Sequence, residues 1–264
     1  MRELERDLPT DAETSVSARD ALPALAIVGA GRMGGALAKA AREEGLEVAL
    51  AGRELALEAA RGSEAALLCV PDGAIRDVAA TIAEAIPPLR LVGHSSGATS
   101  LEALAPAADR GAAVYSLHPL QTVPGPDAEL VGAACAVTGS TPEAQRFAAR
   151  LAERLGMRPF AVPEERRAAY HAAASIASNF LVALEESATD LLERIGIEDA
   201  RKLLAPLVLT TAANWADRGR DALTGPIARG DEDTVGRHVA ALRDHAPELV
   251  PLYEALAERT RELR

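Results

Sequence analysis

Five histidines and one glycine-rich turn hold most of the chemistry that this sequence can do. His94 stands in Gly93-His94-Ser95-Ser96-Gly97 after the apolar run LRLV, and His118-Pro119 follows AAVYSL. A histidine leaving the carboxyl end of a strand is a candidate proton donor or acceptor, because its ordinary pKa lies near neutrality. His118 reads equally well as a hydrogen-bonded turn residue. Farther along, His171, Ser175 and Asn179 recur every four residues in YHAAASIASNFLVAL, which on one continuous helix puts them on a single face. Polar groups on an otherwise apolar helix need partners, so the stripe either crosses to another domain or lines a cleft, and the cleft is the favoured reading.

The turn is LAIVGAGRMGG. Gly29, Gly31 and Gly34 fall in GxGxxG register between an apolar run and a helical pattern, with Arg32 and Met33 inside the loop. In that setting the first glycine permits a tight turn, the second lets a pyrophosphate approach the backbone, and the third lets helix and strand pack closely. The expected ligand is a nicotinamide dinucleotide. The second apolar run ends Ala51-Gly52-Arg53, and a guanidinium there pairs with the 2′-phosphate that distinguishes NADP from NAD, with Arg32 as a second cation. The alternative leaves Arg53 in solvent and gives the ribose to Glu54. Val70 and Pro71 end the third run and are expected beside the ribose or nicotinamide, with Asp72 capping the next helix.

GHSSG also matches GxSxG, which would make Ser95 the nucleophile of a serine hydrolase. That chemistry needs an acid and then a histidine later in the chain, on the same sheet. Only Glu102 and Asp109 lie between Ser95 and His118, and His171, His238 and His245 fall in the second half. A hydrolase also has no use for the glycine turn at its first strand. Two other readings remain for Ser95 and Ser96: caps on a short helix at 100–106, or hydroxyls that, with His94, hold a substrate beside the nicotinamide.

The elements that must position these residues alternate from 23 to 163, where short apolar runs are separated by helical patterns. Such alternation predicts an α/β fold with a mainly parallel sheet. From 164 to 264 the chain is rich in Ala, Leu, Glu and Arg with helical periodicity, interrupted at Gly196, Gly219 and Gly225-Pro226, and no strand-like run recurs. An all-helical second domain is expected there. Residues 1–22 carry mixed charges without an apolar core, which predicts a disordered tail on a cytoplasmic protein. A net charge of −11 argues against nucleic acid or an anionic membrane as a partner and leaves a small molecule as the expected one. Cys69 and Cys135 sit in apolar runs and are expected unpaired. Lys39 and Lys202 are the only lysines in the sequence, so lysine-based chemistry has few candidates.

Taken together, LAIVGAGRMGGALA, LLCVPDGAI, GHSSGA, SLHPLQTV, YHAAASIASNFLVAL and LTGPIARGD resemble a known pattern over nearly the whole chain after residue 22. The pattern is that of a Rossmann-like protein with the uncharacterised helical C-terminal domain that accompanies it in bacterial oxidoreductases. This family is similar to the group holding prephenate dehydrogenase, pyrroline-5-carboxylate reductase, ketopantoate reductase and 6-phosphogluconate dehydrogenase. The resemblance implies an N-terminal NADP domain, a C-terminal domain like that of 6-phosphogluconate dehydrogenase that pairs subunits into a homodimer, and a substrate cleft between the two. The implied activity is hydride transfer between NADP and a small carbonyl or imine, or the matching alcohol or amine. An NADP(H)-binding redox sensor without catalysis is the alternative, and the serine hydrolase the second. The hydroxyacid and ketopantoate enzymes carry a lysine four residues before an asparagine; here Asn179 matches the asparagine but Ser175 stands at the lysine position. The proton must then come from elsewhere, with His171 the first candidate and His118 the second. His118-Pro119 also resembles a His-Pro pair of prephenate dehydrogenases.

Overall fold

The computed structural model describes residues 22–264, so the tail expected at 1–22 lies, apart from Leu22, outside the described residues. The chain forms two compact units, one up to Ala173 and one from Ala174. The sequence pattern puts the change of character at 163/164, ten residues earlier.

The first unit is built on a seven-stranded sheet: β1 (Leu25–Val28), β2 (Val48–Ala51), β3 (Ala65–Leu68), β4 (Leu91–His94), β5 (Ala113–Pro119), β6 (Ala134–Gly139) and β7 (Arg158–Ala161). The strands lie in the order β2-β1-β3-β4-β5-β6-β7. All neighbours are parallel except β5 and β6, which pair antiparallel with Ser116 opposite Thr138. The cause is local: residues 120–133 contain no helix, and without a crossover the chain can only turn back on itself. Helices α1 (Arg32–Glu43), α2 (Ala56–Arg61), α3 (Ile75–Ile82), α4 (Ala105–Ala108) and α5 (Pro142–Arg154) cover the two faces. β1 and β3 are buried throughout, as continuous apolar runs must be when both faces of a sheet are covered. Ile27, Leu67, Tyr115 and Leu117 pack on one side with Leu37, Phe147 and Leu151, whereas Val28, Leu68 and Val92 pack on the other with Ile75 and Ile82. Gly93 has no side chain because the Tyr115 ring crosses it, 2.4 Å from where a Cβ would stand. Because β1 is flanked by β2 on one side and β3 on the other, the strand order reverses there. The carboxyl ends of strands at such a reversal are where ligands bind in open α/β sheets.

The helical run expected from 164 to 195 is divided into α6 (Arg167–Ala177) and α7 (Asn179–Arg194). Ser178, at φ −123° and ψ −69°, interrupts it. The four-residue recurrence of His171, Ser175 and Asn179 is therefore not carried by one continuous helix. His171 belongs to the first unit, and Ser175 and Asn179 to the second. The second unit continues with α8 (Ala200–Arg218), α9 (Pro226–Arg229), α10 (Glu232–His245) and α11 (Val250–Glu262). Gly230 ends α9 in the left-handed region at φ +76°, and Asp231 caps α10 by accepting from the Thr234 N–H at 3.0 Å, as the spacing in Arg229-Gly230-Asp231 predicts. α7 and α8 pack on each other, yet Ala200 is the only buried residue of α8, and Leu207, Leu209 and Trp215 are all more than 60% exposed. No helix among the described residues is long and apolar enough to cross a membrane.

Candidate functional site

The glycine turn is imposed by packing at two of its three positions. Gly29 continues β1 by donating to Ala51 O at 2.8 Å and then turns at φ +113°, where a Cβ would lie 2.2 Å from the carbonyl oxygen of Cys69. A Cβ on Gly34 would lie 1.9 Å from the carbonyl oxygen of Gly29, so only glycine lets α1 sit this close to the turn. Gly31 differs, because nothing stands within 4 Å of its missing Cβ. It is the N-cap of α1, makes no side-chain cap bond, and is followed by a first turn without acidic residues. The start of this twelve-residue helix thus has open space beside Gly31 and neither a side-chain cap nor a nearby acid, an arrangement that fits a phosphate. Arg32 is exposed at the first helical position, with Met33 half-buried behind it.

Arg53 and Glu54 follow β2 in a 3-10 turn, both exposed, and the Glu54 carboxylate lies over Gly52. Neither Arg32 nor Arg53 makes an ion pair among the described residues, leaving both guanidinium groups available to an anion. Lys39 and Lys202, by contrast, are held in surface pairs with Glu43 and Asp199. After β3, Val70 is half-buried and Pro71 exposed. Asp72 does not cap α3: the Pro71 carbonyl takes the Ala74 N–H at 2.8 Å, and Asp72 lies inside the resulting 3-10 turn rather than ahead of it.

His94 is the last residue of β4, and it points inward. It is 0% exposed, and neither ring nitrogen has a hydrogen-bond partner among the described residues. The structure thus places this histidine within the protein interior. Burial first, then the nearby Arg167 charge, push its pKa down to about 4. The two serines are occupied by backbone. Ser95 N–H extends the ladder to Leu68 O at 3.0 Å and its hydroxyl leans on the same oxygen at 3.5 Å, while Ser96 Oγ accepts from the N–H groups of Ala98 and Thr99 at 3.2 and 2.9 Å. The hydroxyls thus do not cap a helix at 100–106, where a 3-10 turn at Leu101–Leu104 precedes α4 and Ser100 makes no side-chain cap bond.

No histidine nitrogen bonds to Ser95 or Ser96, so the hydrolytic triad is not assembled. A fluorophosphonate probe is accordingly expected to leave the protein unlabelled; adduct on Ser95 by mass spectrometry would contradict this geometry.

His118 stands inside β5, paired with Ala136 of β6, rather than beyond the strand end. Its Nδ1 and the Tyr170 hydroxyl are 2.6 Å apart, and the His171 ring lies across it at a centroid distance of 6.0 Å. Gly97 is the floor of this group. A Cβ there would lie 2.6 Å from His171 Cδ2 and 2.8 Å from His118 Nε2. The absence of a side chain in GHSSG thus admits two imidazoles, which is a different use of the motif from a nucleophile elbow. Burial lowers the His118 pKa to about 4, aided by His171 and Arg167 and opposed by Asp72; burial also raises that of Tyr170 to about 12.

Beneath these rings sits a residue that the sequence pattern does not reveal. Arg167 is 3% exposed. It donates to Ser96 O at 3.3 Å, to Thr138 Oγ1 at 2.9 Å, to Ser116 Oγ, and to Glu164 Oε2 at 3.3 Å. Glu164 in turn accepts from Leu101 N–H at 2.7 Å. One guanidinium therefore ties the GHSSG loop, β5, β6 and the start of α6 together, and the hydroxyls of Ser116 and Thr138, opposed across two apolar strands, are the one sequence signal that a buried cation needed partners.

A glycine turn at the first strand of a mainly parallel sheet, followed by a helical unit, is the architecture of a Rossmann-like protein with an appended helical domain. Residues 51–119 match the model of the Rossmann-like domain, and residues 133–260 match DUF2520, a domain of unknown function. The helical-domain model thus begins at β6, inside the sheet. No curated protein matches the chain. Among solved structures, the chain is similar to BF3122 of Bacteroides fragilis, provisionally named an NADP oxidoreductase, with 22% identity, a TM-score of 0.74, and coverage of 92% of this chain and 99% of that one. Protein TM1727 from Thermotoga maritima gives 24% identity and a TM-score of 0.73 over 90% of this chain and 97% of that one. A reductive aminase from Aspergillus terreus, in complex with NADPH and ethyl levulinate, gives 19% and 0.65 over 90% and 93%. These likenesses establish the fold.

Proposed function

We propose that the protein is an NADP-dependent oxidoreductase that reduces a small carbonyl or imine, or oxidises the corresponding alcohol or amine. The observation that carries this reading is the glycine turn at the strand-order reversal, with Gly31 open in front of an uncapped, acid-free helix end. The names of BF3122 and of the A. terreus enzyme agree with it. Gly29, Gly31 and Gly34 would hold the pyrophosphate, Arg53 and Arg32 the 2′-phosphate, and Val70 and Pro71 the nicotinamide side. When bound, NADP supplies or accepts the hydride. The chain itself has to place the substrate and handle one proton, for which His118 and His171 are the groups gathered at Gly97. Asn179, in the second unit, is proposed to bind substrate on the strength of the family resemblance. The exposed apolar side chains of α7 and α8 support pairing of two copies through the helical unit.

The test is a titration that follows the nucleotide's own fluorescence. NADPH is expected to bind more tightly than NADH, and Arg53→Ala to weaken NADPH by about tenfold while leaving NADH unchanged. Equal affinities in the wild type would remove the case for NADP, and no binding of either would remove the function.

A further inference from the structure

We propose that Tyr170 donates its phenolic proton to Nδ1 of His118, fixing a neutral imidazole whose own proton sits on Nε2, from where it is delivered to the substrate. The inference rests on the oxidoreductase reading above and adds which group carries the proton and what sets its state. The 2.6 Å contact admits two directions, O–H to Nδ1 or Nδ1–H to the phenol oxygen. Chemistry separates them. A phenol is a far stronger acid than a neutral imidazole N–H, and a pyridine-type nitrogen is a far better acceptor than a phenol oxygen, so the proton belongs on oxygen, pointing at nitrogen.

The protein favours the neutral ring. Burial, His171, Arg167 and His94 oppose a second proton on His118, and Asp72 favours one. With Nδ1 occupied as an acceptor, Nε2 must carry hydrogen. That atom lies beside the bare Cα of Gly97 and has no hydrogen-bond partner among the described residues. His171, the first candidate from sequence, makes no hydrogen bond among the described residues that would fix its tautomer.

A lone neutral imidazole cannot give up its proton without becoming an imidazolate; the tyrosine removes that obstacle. When the carbonyl or imine carbon receives hydride, which NADPH would supply, His118 Nε2 gives its proton to the adjoining oxygen or nitrogen. Nδ1 takes the Tyr170 proton in the same step, and water reprotonates the phenolate at this half-buried side chain. An alkoxide is a stronger base than this phenolate even with Tyr170 pushed up to about 12, and the Arg167 charge steadies the phenolate. Tyr170 is thus a positioning residue that acts through His118.

The experiment needs no substrate. In 15N-labelled wild-type protein at neutral pH, with His118 assigned from the signal lost in His118→Gln, long-range 1H–15N spectra are expected to show protonated Nε2 and pyridine-type Nδ1. In Tyr170→Phe the Nδ1 resonance should move toward that of an unbonded nitrogen and the His118 pKa should rise by roughly one pH unit, because a bond to the neutral ring has been removed. Protonated Nδ1 in the wild type, or a pKa that falls or stays put in the variant, would overturn the proposal. The wild-type spectrum decides the tautomer even if Tyr170→Phe misfolds. A failed NADPH titration with the expected tautomer would sink the oxidoreductase reading instead, so the two failures are distinct.

Discussion

Acidification from pH 7 to pH 4.5 is expected to remove on the order of 2 kcal/mol of unfolding free energy for each of two histidines, His94 and His118. Both have pKa values lowered from 6.5 to about 4, chiefly by burial. The unfolded chain takes up these protons near pH 6.5, whereas the folded chain resists until about pH 4. In that window the unfolded state binds more protons, so stability falls as the pH falls. The contribution is fully present above about 6.5 and is gone below about 4. Arg167 opposes protonation of both rings, and Asp72 favours it on both, joined at His94 by Glu164 and the Ser100 backbone.

Carboxylates titrate over part of the same range, so the discriminating comparison is with His94→Leu. His94 is wholly buried, and leucine can occupy its space without a titrating group. Urea midpoints followed by circular dichroism should separate strongly between pH 7 and 4.5 in the wild type and less in the variant. A variant as acid-sensitive as its parent would show that His94 is not held neutral.

The second large effect concerns the glycine turn, where two substitutions should part ways. Gly34→Ala puts a methyl group 1.9 Å from a backbone oxygen, so α1 has to shift away from β1. Loss of NADPH affinity on the order of 100-fold is expected, with a markedly lower melting temperature. Gly31→Ala meets nothing within 4 Å, and its backbone at φ −79° is open to any residue. That variant should melt with the wild type and still bind NADPH more weakly, because its methyl group stands where the phosphate approaches. A Gly31→Ala protein with unchanged affinity would place the nucleotide elsewhere.

The first four strands and their helices were legible because each apolar run is continuous and short, and each is followed by a helical period. The runs LAIVGA, EVALA and AALLCV contain the strands LAIV, VALA and AALL, and LRLV overlaps the strand LVGH, which begins two residues later and takes in His94. The reversal between β5 and β6 was foreshadowed only by what residues 120–133 lack. Two glycines were legible singly, Gly29 and Gly34 standing where their motif implies a turn and a close approach, whereas His118 lies within β5 rather than beyond its end. What the sequence could not tell is direction. His94 and His118 look alike as strand-end histidines, yet one faces the interior and the other meets Tyr170. Arg167 and Tyr170 escaped for another reason. Apart from Glu164, their hydrogen-bond partners lie 29 to 71 residues away along the chain, so no local period marks them, and the arginine sits in EERRAAY, which reads as a solvated helix start.

Trp215, the sole indole in the sequence, stands 65% exposed on α8. Its emission therefore reports on the surroundings of that helix. If copies of the chain meet across this surface, the emission maximum should move to the blue with increasing protein concentration, giving an optical readout of self-association that is independent of any ligand.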